Sequence, residues 1–185
     1  MSAFAAYEPG RRTKGGEPVP VRRGTIADVP GCVELAAVVA GLDPVQWTRS
    51  LTASATDQER MLHVAEDAGR IVGYARSAEY APPKDAPRNA APAGWYLLGI
   101  VVDPAYRRRG IGRALTTARM TAIAERADAV WYFANARNRA SLDLHTVLGF
   151  VEVTRDFWFP DLTFDGGAGV GVLCRAPLSP RKART

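Results

Sequence analysis

Hydrophobic and polar positions recur along the chain with two distinct periods, which predict both strands and helices. Strands are predicted where apolar residues alternate or run together, at 19–23, 61–66, 70–78, 95–102, 129–134, 150–159 and 169–175. Helices are predicted where apolar residues recur every three or four positions, at about 28–40, 110–126 and 141–148, with a second short helix or irregular arm at 45–58. This order of elements predicts a mixed α/β domain built around one sheet.

The segments between these runs add three expectations. Asp67-Ala68-Gly69 separates two strand-like runs and predicts a β-hairpin. Residues 79–94 contain four prolines and almost nothing to bury, so we expect a long loop there, and long loops in compact domains are often functional. The run at 95–102 is nearly continuously apolar, which predicts a central strand buried on both faces.

With 185 residues, 47% of them apolar and 23% charged, the chain has the composition of an ordinary globular protein. We expect a disordered arm at 1–18, one folded domain at 19–177 and a basic tail at 178–185. No apolar run reaches 18 residues and the N-terminus lacks a signal-peptide pattern, so we expect a cytoplasmic protein with no membrane partner.

Cys32 and Cys174 lie far apart in the sequence, and neither has a His or Cys at metal-ligand spacing. We therefore expect two reduced core cysteines and no metal, with a disulfide as the alternative. The net charge of +5 comes largely from basic clusters near both termini and at 107–113. Short terminal clusters are usually solvated, and no aromatic residues interleave with them, so no nucleic acid is expected as a partner.

The internal basic cluster coincides with a glycine motif, VDPAYRRRGIGR at 102–113, in which a buried strand leads into a turn and then a helix. The first N–H groups of a helix have no acceptor within it, and together with the helix dipole they attract anions. Glycine lets a phosphate approach the backbone closely, and nearby arginines add positive charge. The segment from Arg108 to Arg113 therefore predicts a pyrophosphate-binding turn.

Two other interpretations of this turn are an ordinary strand–helix connection with solvated arginines and a Rossmann dinucleotide site. A Rossmann site is disfavoured because the turn is single and late in the chain. It also lacks the second glycine spacing and the downstream acidic residue that binds a ribose.

Two motifs resemble the signatures of the GNAT superfamily of acyl-coenzyme A-dependent N-acetyltransferases. VxPxYRxRGIGxAL at 102–115 is similar to that family's acetyl-coenzyme A signature. NRASLDLHTVLGF at 138–150 resembles its second signature, an Asn, a short helix and a terminal Leu-Gly-Phe. The close match covers 94–159. It implies a GNAT-like fold: a central, mostly antiparallel sheet of about seven strands with splayed central strands, flanked by about four helices.

The resemblance implies that acetyl-coenzyme A binds along this stretch as a co-substrate. Its pantetheine arm would pair with Ile100, Val101 and Val102, whose side chains also suit a core. Asn138 would contact the coenzyme, cap a helix, or do both. The remaining implied coenzyme contacts are Arg107, Arg108, Arg109, Gly110, Ile111, Gly112 and Arg113.

The catalytic groups are less well defined. Many family members have a tyrosine seven residues after the Asn, placed to protonate the departing thiolate, and this chain has His145 there. Imidazole can donate a proton near neutral pH, so His145 is a candidate general acid, with a structural helix residue as the alternative. No general base is evident. Tyr96 occupies a position where some relatives have Glu, and Glu79, Tyr80 and Glu66 are further candidates, although each could be a surface group.

The sequence therefore predicts an N-acetyltransferase, an acyltransferase in which a neutral amine attacks the thioester directly in a ternary complex. The acceptor site is expected at 45–56, 79–94 and 158–164, whose apolar and aromatic residues favour a primary amine of a small molecule. A protein N-terminus or lysine is an alternative acceptor. A non-catalytic acyl-coenzyme A-binding regulatory module is a further alternative. We expect a monomer or homodimer.

Overall fold

The computed structural model describes residues 17–164, 166–167 and 169–179. Within them the chain forms seven strands and four α-helices. The strands are β1 Val21–Arg23, β2 Arg60–Asp67, β3 Arg70–Tyr80, β4 Gly94–Val102, β5 Ala129–Asn135, β6 Val151–Thr154 and β7 Gly171–Pro177. The helices are α1 Val29–Ala40, α2 Pro44–Thr56, α3 Ile111–Ile123 and α4 Arg139–Val147, and short 3-10 turns lie at Ile26–Asp28 and Pro104–Tyr106.

The seven strands form one sheet in the order β1-β2-β3-β4-β5-β7-β6. The pairs β1–β2, β2–β3, β5–β7 and β6–β7 are antiparallel. The predicted fold class, a mixed seven-stranded sheet flanked by four helices, is confirmed. Most of the arm predicted to be disordered at 1–18, and residues 180–185 of the predicted basic tail, lie outside the described residues.

The chain divides into two compact units. The described part of the N-terminal unit comprises 17–78 and 97–122. The C-terminal unit comprises 79–96 and the described residues from 123 onward. Strand β4 contributes its first three residues to the C-terminal unit and the rest to the N-terminal unit. The single domain expected at 19–177 stays a prediction.

Helices α1 and α2 of the N-terminal unit begin and end where local sequence signals place them. Asp28 Oδ2 accepts hydrogen bonds from the Thr25 N–H at 2.8 Å and the Thr25 hydroxyl at 3.0 Å, just before α1. Gly41 ends α1 with φ 62°, a left-handed conformation that favours glycine. Asp43 caps α2 by accepting from the Gln46 N–H at 2.7 Å, and Pro44 follows at the first helical position. Residues 45–58 are therefore mainly helical, the first of the two alternatives.

One face of the β2–β3 hairpin packs against α1 and α2. The hairpin turns at Ala68 and Gly69, with φ values of 48° and 77°, the geometry that matches the twist of two antiparallel strands. The resulting core contains Val29, Cys32, Leu35, Ala36, Leu51, Leu62, Val64 and Tyr74. The buried stripe of α1 runs through Cys32, Leu35 and Ala36, whereas Ala37 is only partly buried and Ala40 is exposed.

The other face of the hairpin packs against α3. The buried residues there are Ala65, Val72, Ala75, Ile111 and Leu115. Gly73 makes this close packing feasible, because a Cβ at its position would lie 3.1 Å from Ile111 Cγ2 and 3.4 Å from the Val101 carbonyl oxygen.

In the C-terminal unit, β7 lies between β5 and β6, and α4 follows β5. Strand β6 is shorter than the predicted run of 150–159. It stops because the Thr154 hydroxyl accepts a hydrogen bond from the Asp156 N–H at 3.1 Å, which turns the chain. Trp158 then forms a parallel bridge with Ala90.

Strand β4 corrects another expectation. Trp95, Tyr96 and Leu97 are buried, but Gly99 is exposed and 100–102 are only partly buried. The strand is therefore not buried on both faces along its whole length. Its second half retains accessible surface, although the sequence there is almost entirely apolar.

Candidate functional site

The turn between β4 and α3 is held by side chains at its start. Asp103 Oδ1 accepts from the Ala105 N–H at 2.9 Å, and Arg70 Nη2 donates to Asp103 Oδ2 at 2.8 Å. The Tyr106 hydroxyl donates to Asp67 Oδ2 at 2.7 Å. These contacts connect the turn to both ends of the hairpin loop, so the backbone that follows has a defined path.

The backbone then adopts two left-handed conformations, with φ 66° at Arg108 and 78° at Gly110. Helix α3 begins at Ile111, and its first internal hydrogen bond runs from the Ala114 N–H to the Gly110 carbonyl at 2.9 Å. The N–H groups of 111–113 precede that bond, so the helix provides them with no acceptor. A Cβ at Gly110 would meet no atom within 4 Å, so open space adjoins this cradle of donors.

The arginines of the turn add positive charge beside these donors. Arg107, Arg108, Arg109 and Arg113 are all exposed. The Arg109 guanidinium lies 4.7 Å from the centre of the Tyr106 ring. Free amide donors, open space and several guanidinium groups fit a pyrophosphate. Coenzyme binding by these residues stays a prediction.

Ile100, Val101 and Val102, the predicted pantetheine strand, lie in the second half of β4. Val101 packs beside the core under α1 and α2, whereas Ile100 and Val102 pack beside the core under α3. Their side chains therefore contribute to the core, as their apolar character suggested. Gly99 is exposed and a Cβ there would meet nothing within 4 Å, so the strand has open space beside it.

Asn138 lies at the N-terminus of α4 in the C-terminal unit. Its side-chain oxygen accepts from the Ser141 N–H at 3.2 Å, which is the helix-cap role considered for it. The cap leaves the amide nitrogen of the side chain available as a donor. A contact between Asn138 and coenzyme stays a prediction.

His145 is 3% exposed and packs within the C-terminal unit. Its ring stacks on Tyr132 with centroids 3.6 Å apart and meets the edge of Phe150 at 5.1 Å. Its Nδ1 lies 2.8 Å from the Ser141 carbonyl oxygen. A carbonyl can only accept, so this contact places a hydrogen on Nδ1, and any proton that His145 gives to a thiolate has to come from Nε2 of the imidazolium form.

The geometry argues against Tyr96 as a general base. Its side chain is fully buried, and its hydroxyl donates to the Pro92 carbonyl at 2.6 Å. Burial raises the pKa of Tyr96 far above its usual value, so the phenolate form is disfavoured. Glu66 accepts from Arg22 at 2.6 Å, which leaves Glu79 as an exposed carboxylate at the end of β3.

An aromatic cluster surrounds Tyr96. The centre of the Tyr80 ring lies 5.6 Å from that of Tyr96 and 4.4 Å from that of Phe159. Phe133 lies 5.0 Å from Phe159, and Trp131 stacks at 6.3 Å on Tyr96. The structure thus brings together two of the three segments expected to contact the acceptor, 79–94 and 158–164. The third, α2, lies in the N-terminal unit.

The predicted site residues therefore fall into two groups. The N-terminal unit carries the predicted pyrophosphate-binding turn and the predicted pantetheine strand at 100–102. The C-terminal unit carries Asn138, His145, Glu79 and Tyr96.

Two arginines were missed, one fully buried and one half-buried. Arg119 lies on the buried stripe of α3, four residues after Leu115, and Arg76 lies inside the apolar run of β3. A charged residue at a position that the period assigns to the core was the available signal for both.

Both cysteines are free and buried, as expected. Among the described residues, no cluster of three or more His, Cys, Asp or Glu side chains could hold a metal ion. In the same part of the chain, no helix has the length and apolar character needed to span a membrane.

Comparison with known proteins shows which families and enzymes this chain resembles. The model of the acetyltransferase (GNAT) family matches residues 34–150, well over half of the chain. The [ribosomal protein bS18]-alanine N-acetyltransferase of Escherichia coli strain K12 is 40% identical over 85 residues, which cover 45% of this chain and 55% of that protein. The chain thus spans about half the length of the curated relatives that it matches.

Solved structures agree on the fold. The ribosomal-protein-S18-alanine N-acetyltransferase of Escherichia coli superposes with a TM-score of 0.63 at 18% identity, covering 90% of this chain and 97% of that one. A GNAT superfamily phosphinothricin acetyltransferase of Sinorhizobium meliloti, in complex with AcCoA, gives 0.65 at 18% identity, with 91% and 92% covered. A ribosomal-protein-alanine N-acetyltransferase of Brucella melitensis gives 0.65 at 23% identity, with 86% and 100% covered.

Proposed function

The chain belongs to the GNAT acetyltransferase family, and we propose that it transfers an acetyl group from acetyl-coenzyme A to a primary amine. The family and the enzyme class, an acyltransferase, are those that the sequence predicted. The observation that carries the proposal is the turn between β4 and α3. Its left-handed Arg108 and Gly110 precede the backbone donors of 111–113, and open space and exposed arginines lie beside them.

The proposed mechanism assigns positioning to the backbone. The N–H groups of 111–113 and the neighbouring arginines hold the pyrophosphate, and the backbone of 100–102 orients the pantetheine arm. Acetyl-coenzyme A supplies the acetyl group as a thioester. A backbone amide near Val102 donates to the thioester oxygen, which favours attack by a neutral amine. Holding both reactants in place provides much of the acceleration.

For the acceptor, we propose a small-molecule amine, with a protein N-terminus as the second candidate. The partly exposed aromatic residues Tyr80, Phe133 and Phe159 support the first, because sites for small molecules are lined mainly by apolar and aromatic side chains. The second is supported by the 40% identity over 85 residues to an enzyme that is named for acetylating a ribosomal protein. A panel of small amines assayed beside a peptide with N-terminal alanine separates the two.

The coenzyme site is tested by matched glycine variants. Gly110→Glu places a carboxylate in the phosphate cradle, and we expect acetyl-coenzyme A affinity to fall at least about 100-fold because like charges repel at short range. Gly41→Glu is the control, since Gly41 has a similar φ of 62° and equally open surroundings at the end of α1. Retained affinity in Gly110→Glu, measured by calorimetry, would refute the site.

The enzyme and the non-catalytic binding module differ in thiol release. If the coenzyme raises the melting temperature while no amine or peptide in the panel releases free thiol, the binding module is the correct reading.

We also propose His145 as the general acid. His145→Phe keeps an aromatic ring beside Tyr132 but removes the proton, so kcat should fall about 10²- to 10⁴-fold. His145→Tyr, which restores the residue common in the family, should recover part of that loss. An unchanged kcat in the Phe variant would assign His145 to packing alone.

A further inference from the structure

Arg76 is an arginine of β3 whose side chain lies beneath α2 with few acceptors. Its Nη1 donates to Ser50 Oγ at 2.6 Å, and its guanidinium carbon lies 4.2 Å from the centre of the Trp47 ring. Its Nε is buried and has no hydrogen-bond partner. A guanidinium has five N–H donors, so one hydroxyl and one aromatic face satisfy only a small part of it.

No acidic side chain in the described part of the chain forms an ion pair with Arg76. Besides burial, two titratable neighbours influence the pKa of Arg76: Tyr74, which acts to raise it, and Arg60, which is also positive, acts to lower it and contacts Asp57 at 3.5 Å. Burial lowers the pKa of Arg76, because desolvation disfavours the charged form. A buried cation normally has an anionic partner, and here the protein supplies none among those residues.

The backbone of Arg76 locates this cation relative to the predicted coenzyme strand. Arg119 Nη1 donates at 2.9 Å both to the Arg76 carbonyl and to the Leu98 carbonyl, so β3 at Arg76 lies beside β4 at Leu98. Leu98 precedes Ile100, the first residue of the predicted pantetheine strand, by two positions. The residue that carries the guanidinium thus lies beside the strand predicted to hold the acyl end of the coenzyme.

The side chain of Arg76 also lies on a particular face of that strand pair. Neighbouring Tyr74, two residues earlier, belongs to the core under α1 and α2, whereas Ala75 belongs to the core under α3. Arg76 therefore points away from α3, whose N-terminus forms the phosphate turn. A second substrate approaching from the face of α2 would meet this cation without competing for the pyrophosphate site.

We propose that Arg76 binds an anionic oxygen group, a carboxylate or a phosphate, of the amine acceptor. This inference rests on the proposed function and narrows its substrate to amines that also carry such a group, as amino acids do. Trp47 would hold the guanidinium plane from one side, leaving its donors for a bidentate contact with the anion.

The test compares acceptors that differ only in the anion. Amino acids, their primary amides and the matching aminoalkyl phosphates are assayed by thiol release with wild type, Arg76→Met and Arg76→Lys. We expect wild type to favour the acid over its amide, and Arg76→Met to lose about 10- to 100-fold in kcat/KM for the acid, mainly through KM. Rates with the amide should stay within about twofold. The carboxylate and phosphate arms show which anion is preferred.

A control variant and two further measurements exclude other roles. Arg60→Met removes a positive charge from the same face of the hairpin and should leave the preference for acids unchanged. If Arg76 only fastens α2, Arg76→Met would lower the melting temperature and weaken all acceptors equally, which would overturn the proposal. It would also be overturned if Arg76→Met weakened acetyl-coenzyme A itself as much as it weakens the acid.

Failure of the proposed function has a different signature. If no compound is acetylated, calorimetric titration of the amino acids into the coenzyme complex still tests Arg76. Tighter binding of acids than amides in wild type, lost in Arg76→Met, would support the anion site without the reaction. Equal binding of acid and amide would refute it.

Discussion

An arginine side chain lies against each face of β3, the fully buried Arg119 of α3 on one and the half-buried Arg76 of β3 itself on the other, and their hydrogen-bond acceptors differ. On the face towards α3, the fully buried Arg119 donates to the carbonyls of Arg76 and Leu98 and to the Thr116 hydroxyl at 3.2 Å. On the face towards α2, the printed contacts of the Arg76 guanidinium are one serine hydroxyl and one aromatic ring. Both lie in the N-terminal unit, where Arg119 Nη1 contacts the backbone carbonyl of Arg76.

Because their hydrogen-bond acceptors differ, we assign different roles to the two arginines. Arg119 donates hydrogen bonds to backbone carbonyls of two neighbouring strands, at the point where β4 becomes accessible. We therefore assign it a structural role. Arg76 contributes a cation for which the described residues supply no ion pair, and a polar group with few partners away from water calls for an explanation such as the anion site proposed above. Buried charge alone does not distinguish the two roles, whereas the acceptors around it do.

The largest change in the free energy of unfolding is expected when the Arg119 guanidinium is removed. Arg119→Met leaves the carbonyls of Arg76 and Leu98 without this donor, and we expect the free energy of unfolding to fall by at least about 3 kcal/mol. Arg76→Met should change it by less than about 1 kcal/mol in either direction, since Arg76 has little to lose. Urea unfolding measures both. Equal losses would erase the contrast between the faces.

A pH dependence is expected on the α3 face. His63 of β2 lies opposite Ala75 on that face and is 4% exposed. Burial, together with the nearby positive charges of Arg23 and Arg119, lowers the pKa of His63 to about 4. The unfolded chain binds this proton below about pH 6.5, so it binds more protons than the native state between pH 6.5 and 4. Stability is therefore lost as pH falls through that window, by up to about 3 kcal/mol.

Unfolding of wild type and His63→Leu across pH 4–7 measures this contribution. The variant should lose the dependence in that window. It should keep a further loss below about pH 4, where Asp28, whose pKa the Arg22 guanidinium holds at about 2, becomes protonated in the unfolded chain. A flat wild-type profile between pH 6.5 and 4 would contradict the assignment to His63.

The smallest expected effects come from the two hydroxyls that face the arginines. Thr116→Val removes an acceptor of Arg119 in a fully buried place and should destabilise by about 1–2 kcal/mol. Ser50→Ala removes the acceptor of Arg76 but should cost less than about 0.5 kcal/mol, because the half-buried Arg76 side chain can turn to water instead. Thermal unfolding of the two variants shows which substitution destabilises the protein more. A larger loss in Ser50→Ala would mean that Arg76, and not Arg119, has the structural role.

Local patterns were enough for much of the fold. The hairpin turn at Ala68-Gly69, the Asp43-Pro44 start of α2 and the glycine turn before α3 each depend on backbone preferences of a few adjacent residues. The family and the sheet of seven strands followed from motifs whose order along the chain is informative. The shorter β6 and the accessible half of β4 did not follow, because apolar composition does not show where a strand is covered.

The candidate site divides in the same way. The amino-acid sequence determines where the backbone N–H groups of the predicted phosphate-binding turn lie, since Gly110 and the start of α3 are local features. The tertiary structure alone decides which polar side chains become buried and what surrounds them. It commits the Tyr96 hydroxyl to the Pro92 carbonyl, packs His145 on Tyr132, and leaves Arg76 with an aromatic ring and one hydroxyl. These outcomes depend on partners distant in the chain, and desolvation makes each partner matter more than it would in water.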